Sequence, residues 1–267
     1  MKAGLSKTFA KNLRAFLSAL SFLTRVPLPG FLHTNIDAET ARDDFKRSVY
    51  WFPAAGVILG LLLIVFDSLL ALLFPASLAS GLLLTFYVGM TGGLHLDGLL
   101  DSADGLLSGR PAEKIPGIMR DSSSGAFAVL TAVLYILLKF LCFWHVFSGW
   151  RMGTFIFMAV LSRMIMAISL IKMPIVSESL ARAFAGQFTL AASLKILWIP
   201  VILLFILPYL NLLPVYVMLA AAAVCLMATF LLTQQIAKML GGLTGDIFGM
   251  INEINELLVL IVVIALQ

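Results

Sequence analysis

The sequence predicts an all-α polytopic membrane bundle of about seven transmembrane helices with an amphipathic interfacial helix at its N-terminus, and three observations carry that prediction. First, 61% of the 267 residues are hydrophobic and only 12% are charged, about half the charge of a soluble domain; mean hydropathy is +1.04. Second, the apolar residues gather into segments of about 20, the length that crosses a bilayer. Third, lysine and arginine fall on alternate connections, as positive-inside topology requires.

Residues 5–23 open the chain as an amphipathic helix. Phe9, Leu13, Phe16, Leu17 and Leu20 share one face; Lys7, Lys11, Arg14, Ser18 and Ser21 share the other. A cationic face opposite an aromatic-aliphatic one suits a helix lying in the lipid interface. Its end is set by Thr24 to Gly30, where Pro27 and Pro29 remove donors and disfavour helix before them. Residues 31–48 are polar and mixed in charge, and read as a loop with at most a short helix. The seven spans are expected at about 53–74, 78–96, 125–147, 152–173, 194–213, 215–236 and 246–266. Two pairs are joined by tight hairpins, Phe74–Ser77 and Pro208–Pro214; merging or splitting one of them gives six or eight. No internal repeat or low-complexity linker is present, so residues 1–267 read as one membrane-embedded domain, 1–50 interfacial and 51–267 the bundle.

The net charge of +4 is no nucleic-acid signature, because the basic residues follow topology. They concentrate before the first span and in the second-to-third, fourth-to-fifth and sixth-to-seventh connections, while the other side holds little beyond Arg151. The N-terminus and those three connections are therefore expected in the cytoplasm. Cys142 and Cys225 sit within apolar segments and read as small buried hydrophobes. No cleavable signal is expected: Arg14 and Arg25 break the early apolar run, and no A-x-A site precedes the first span.

Two acidic motifs interrupt this charge-poor chain. In Gly92–Gly105, Asp97, Asp101 and Asp104 are spaced i, i+4 and i+7, which puts them on one helix face. Like charges at that spacing repel unless a cation lies between them, and carboxylate oxygens are what Mg²⁺ takes, usually with phosphate oxygens as further ligands. The plain alternative is three acids on the wet side of a helix start. In Gly241–Glu256, Asp246, Gly249, Glu253 and Glu256 fall within about 80° of helical arc. Acids one to three turns into a span need a polar cavity, a cation or partners. Gly249 leaves room for a ligand or another backbone; Gly241, Gly242 and Gly245 allow a tight turn, and Thr244 suits an N-cap.

Between the motifs stands Ile118–Gly125. Arg120 suits a phosphate clamp, with Asp121 and Ser122 beside it, and Arg110 and Lys114 either assist or serve topology alone. Ser122 to Ser124 also resemble a cap for the third span. Arg163 lies mid-span and needs an acidic or phosphate partner, which points it toward the same polar cavity. Lys139 is also intramembrane but long enough to snorkel. His95 projects opposite the aspartates and suits support or a hydrogen bond rather than ligation; His33 and His145 stand alone. Two carboxylate clusters, a few arginines and glycines at one membrane face outline a diphosphate-handling site. A metal would neutralise bridging phosphate oxygens while a carboxylate takes a hydroxyl proton. No Ser-His-Asp or Cys-His arrangement competes.

Five segments, Phe16–Pro29, Tyr50–Gly60, Gly92–Gly105, Ile118–Gly125 and Gly241–Glu256, span nearly the whole chain in order, and on them it resembles the cobalamin synthase family (adenosylcobinamide-GDP ribazoletransferase). The resemblance implies an Mg²⁺-dependent enzyme of the bacterial inner membrane with its site facing the cytoplasm. The 3′-hydroxyl of α-ribazole, or of its 5′-phosphate, would attack the corrinoid-side phosphorus of adenosylcobinamide-GDP, releasing GMP and forming cobalamin or its phosphate. On that basis Asp97, Asp101 and Asp104 are expected on Mg²⁺ and the diphosphate. Asp246, Glu253 and Glu256 would take a second metal or the proton of the attacking hydroxyl. Arg120, Asp121, Ser122 and Arg163 would orient phosphates, with Gly98, Gly245, Gly249 and His95 lining the substrate. Which carboxylate is the base stays open, because both clusters offer candidates of similar pKa. The departures from the family pattern are a less basic Arg110–Gly117 loop carrying Pro111 and Pro116, and Ala128 where a glycine is common. A homo-oligomer and contacts with other corrinoid-pathway enzymes are compatible with this reading.

Two rival readings fit less well. A CDP-alcohol phosphotransferase needs an Ala-Arg pair soon after the first Asp-Gly, where this chain has Asp101-Ser102. A cation transporter using intramembrane carboxylates would place its acids near mid-bilayer, often on inverted repeats, whereas these acids cluster at one face.

Overall fold

A computed structural model describes residues 2–27, 37–176, 180–184, 186–187 and 189–267; Pro29, and residues 31–36 of the loop expected over 31–48, with His33, lie outside the described residues. Eleven α-helices are present among the described residues, and no strand beyond a single bridge between Ile175 and Leu243. In chain order they are α1 (Lys2–Leu23), α2 (Ala38–Ser48), α3 (Phe52–Leu73), α4 (Ala76–Thr91), α5 (Leu94–Leu107), α6 (Ile115–Ile118), α7 (Ala126–His145), α8 (Ser148–Lys172), α9 (Leu190–Tyr209), α10 (Val215–Leu240) and α11 (Gly245–Leu266).

Six of the elements are long and apolar enough to cross a membrane, and the bent pair α4–α5 makes a seventh if taken as one span. The protein is therefore a multi-pass membrane bundle. Its axis is α8, 94% of whose most apolar 18 residues are buried inside the protein; a helix apolar all round belongs at such a centre. Helices α3, α9 and α11 pack against it, while Leu130, Val133, Leu137, Phe205 and Phe230 on the outer helices point away from protein. Pro200 and Pro208 lie inside α9, where neighbouring groups in a membrane bundle absorb the lost backbone bond.

Differences from expectation arise where local chemistry overrides the apolar pattern. The polar stretch after residue 36 is a full helix from Ala38, because the Asp37 carboxylate caps it, accepting from the Thr40 N–H at 2.8 Å. Helix α1 buries Ala15, Ala19, Leu20 and Leu23, tied to α2 by Arg14–Asp44 at 2.6 Å, while Phe9 is left 71% exposed. Its apolar face is thus divided between bundle and surroundings. The largest difference is in the expected 78–96 span. It ends at Thr91, and the chain turns through 89° before α5 begins. Gly92 and Gly93 have φ of 63° and 68°, a left-handed conformation that side-chain-bearing residues resist. The aspartate motif therefore sits on a separate helix set across the bundle.

One end of the bundle gathers α1, α2, the close of α4, where Arg25 N–H donates to Met90 C=O at 2.6 Å, and the starts of α7 and α11. The opposite end carries the α3–α4 and α9–α10 turns. There Arg151 forms an ion pair with Asp67 at 2.7 Å. Lys46, Arg47 and Lys195 border one cavity at the α1 end and Arg120 another, so the positive charge is concentrated on that end.

Candidate functional site

The two acidic motifs meet where α5 crosses the first turns of α11. The crossing is close because both helices present glycine. A Cβ on Gly98 would stand 2.8 Å from the Asp246 carbonyl oxygen, and one on Gly249 would stand 3.1 Å from that of His95. Gly98 and Gly249, expected to line substrate, therefore serve first as the seats of two backbones. That contact brings Asp97 and Asp101 of α5 alongside Asp246 of α11 on a cavity of about 580 Å³, closed on its far side by Arg120, Asp121 and Ser122.

The cavity also receives the N-terminus of α11 at Thr244 and Gly245, whose free N–H groups favour an anion. Thr244 stands at the N-cap position, yet its hydroxyl makes no capping bond, and Oγ1 is buried without a partner. Reading it from sequence as a plain N-cap missed this; the available signal was its place between Gly242 and Gly245. Asp97, Asp101 and Asp246 take part in no ion pair among the described residues. Asp121 is exposed, and hydrogen bonds from the Ser123 hydroxyl (2.6 Å) and N–H (2.9 Å) hold its carboxyl below the usual carboxylate range.

Asp104 lies on the same helix as Asp97 and Asp101, but its carboxylate serves a different helix end. It accepts from the N–H groups of Gly125 at 2.5 Å and Ala128 at 2.8 Å. The expected serine cap of the third span is thus replaced by a carboxylate from α5; the N-cap residue itself is Gly125, which has no side chain to offer. Asp104→Ala should lower unfolding free energy by about 0.5–2 kcal/mol, the usual worth of a cap. Reversible denaturation in detergent checks this, and a variant as stable as wild type would remove the capping role.

Glu253, Glu256 and Arg163, expected beside the diphosphate, point instead into the bundle and pair with one another. Glu256 accepts from Lys139 Nζ at 2.6 Å, from Tyr87 OH at 2.6 Å, from Asn252 Nδ2 at 3.0 Å and from Arg163 Nη1. Glu253 accepts from Lys139 Nζ at 2.8 Å and from Tyr135 OH. All four charged residues are 0–4% exposed, two acids against two bases, so the group is neutral as a whole. Lys139 therefore does not snorkel; opposite charge inside the bundle holds it better than the distant interface. His95 is buried nearby with Nδ1 unpartnered. Tyr87 and Tyr135 were not singled out in the sequence, since a tyrosine within an apolar run carries no mark of its partner.

Among the described residues, no three His, Cys, Asp or Glu side chains converge tightly enough to cage a metal unaided. The donor set of the cavity nevertheless fits Mg²⁺. Its donors are hard carboxylate oxygens that no lysine or arginine pairs among the described residues, and this ion typically takes one or two carboxylates and completes its shell with water and phosphate.

Comparison with known proteins agrees with these motifs. The profile of the family described as Cobalamin-5-phosphate synthase matches residues 15–264. The chain is 36% identical over 259 residues to an adenosylcobinamide-GDP ribazoletransferase of Desulfitobacterium hafniense, covering 94% of this chain and 96% of that one. Proteins of the same name from Brevibacillus brevis and Clostridioides difficile are 34% and 31% identical, with 94% and 93% of this chain and 98% and 96% of theirs covered. No solved structure matches.

Proposed function

Because this chain belongs to the cobalamin-5-phosphate synthase family, transferases of cobalamin biosynthesis, we propose that it joins adenosylcobinamide-GDP to α-ribazole or its 5′-phosphate at the cavity between α5 and α11. The observation that carries this reading is the convergence of Asp97, Asp101 and Asp246 on one opening with Arg120 and the start of α11. Acids, a guanidinium and free helix N–H groups around one space suit a diphosphate and little else.

In this reading a ribazole hydroxyl attacks the corrinoid-side phosphorus, the bond to the GMP oxygen breaks, and GMP leaves. Asp97 or Asp246 accepts the hydroxyl proton. Arg120 and the α11 N-terminus, with the Thr244 hydroxyl, hold phosphate oxygens in line. Mg²⁺ held by Asp101 and whichever of Asp97 and Asp246 is not the base would supply charge neutralisation for the diphosphate and the departing phosphate. Asp104, Glu253, Glu256, Arg163 and Lys139 fix the helices that aim these groups. The excess of Lys and Arg at the site's end of the bundle supports a cytoplasm-facing site in the bacterial inner membrane.

The test is release of GMP by purified protein in detergent or nanodiscs, given adenosylcobinamide-GDP, α-ribazole and MgCl₂. One GMP per cobalamin product is expected, falling to background with EDTA and returning with added Mg²⁺. Folded protein that releases no GMP under these conditions would overturn the reading.

A further inference from the structure

A second cavity, of about 330 Å³, adjoins the first at the α5–α11 crossing and shares Asp97, Gly245 and Asp246 with it. Its character is different. Phe22, Phe184, Phe248, Met166 and Leu170 give it an apolar, aromatic wall, with His95 beside them. A molecule with an apolar ring at one end and hydroxyls at the other could seat the ring here and bring the hydroxyls to Asp97 and Asp246.

Three ring systems enter the reaction proposed above, and the walls discriminate among them. A corrin macrocycle is too broad for this volume. Guanine carries donors and acceptors around its edge, and burying them against phenylalanine and leucine would leave them unpaired. The base of ribazole is a dimethylbenzimidazole, a flat bicycle with methyl groups and one free ring nitrogen. Only that base matches an aromatic-lined crevice. The polar cavity with Arg120, Asp121 and Ser122 is left to the nucleotide.

We infer that the crevice formed by Phe22, Met166, Leu170, Phe184 and Phe248 binds the benzimidazole base of the acceptor nucleoside. This places the ribose between Asp97 and Asp246, where the two cavities join. The inference rests on the reading of the α5–α11 cavity as the diphosphate site, and it adds the direction from which the acceptor approaches. Acceptor and nucleotide then sit in adjoining cavities, with their reacting groups at the carboxylates both cavities share.

Two measurements test it. Ala181 lines the crevice and is 7% exposed, so Ala181→Phe should fill part of it. The KM for α-ribazole is expected to rise about tenfold or more, with the KM for adenosylcobinamide-GDP within about twofold of wild type. On the unaltered protein, kcat/KM should fall about 10- to 100-fold from benzimidazole riboside to purine riboside, a ring of the same outline with extra nitrogens to desolvate. This arm stands even if Ala181→Phe fails to fold. Equal use of the two ribosides, or a KM change confined to the corrinoid substrate, would overturn the assignment. Absence of GMP release with every acceptor would instead overturn the function proposed above, so the two failures are distinguishable.

Discussion

Asp101→Asn should leave the protein inserted and as stable as wild type, yet cut Mg²⁺-dependent GMP release by about 10²–10³-fold, a loss of the size seen when one group that stabilises developing oxyanion charge is removed. The expectation follows from what Asp101 does not do. It is half-buried on the wall of the polar cavity and takes part in no ion pair among the described residues. Replacing its charge by an amide of nearly the same shape leaves the α5–α11 packing unchanged and removes only a hard anionic donor. The activity should therefore recover partially at raised Mg²⁺ if the carboxylate helps to hold the ion. The measurement is initial GMP release across a Mg²⁺ titration, beside thermal unfolding of the same preparation. Near-normal turnover with unaltered Mg²⁺ dependence would take Asp101 out of the chemistry.

The contrast with Asp104 shows what spacing alone could and could not say. The i, i+4, i+7 pattern correctly put three acids on one helix, but a helix face is about a turn wide and can border two neighbours at once. Asp97 and Asp101 look into the cavity, whereas Asp104, farther along α5, reaches the start of α7. Nothing in the local sequence distinguishes them, because the partner lies 21 residues away and is a backbone N–H. The same holds for α11. Its acids share one face, yet the helix runs into the bundle, so depth separates Asp246 at the mouth from Glu253 and Glu256 inside.

The helix count and approximate span limits were legible because an apolar run of about 20 residues has one physical meaning in a bilayer. The break at Gly92–Gly93 was not, although the glycines were visible. Two adjacent glycines permit a left-handed turn without demanding one, and only the packing of α5 across α11, through Gly98 and Gly249, decides that the turn is made. The family motifs named candidate residues, and the structure divides them into those that border the cavity and those that pair inside the bundle or cap a helix.

That division makes its strongest prediction at Arg163 and Glu256. Each is 0% exposed, Arg163 Nη1 donates to Glu256 between α8 and α11, and Lys139, Tyr87 and Asn252 complete the carboxylate's bonds. Removing one member leaves the other as an uncompensated buried charge. Arg163→Met and Glu256→Gln should each lower unfolding free energy by about 3–5 kcal/mol. The double variant should lose less than the sum of the singles, by at least about 1 kcal/mol, because the orphaned charge is absent from it. Reversible denaturation in mixed micelles measures all four corners of this cycle. The protein that remains folded should keep its KM for both substrates, since neither residue borders the polar cavity. Strict additivity, or full stability of Glu256→Gln with turnover abolished, would return Glu256 to the reaction and make the buried network a catalytic device rather than the clamp that holds α11 in register with α8.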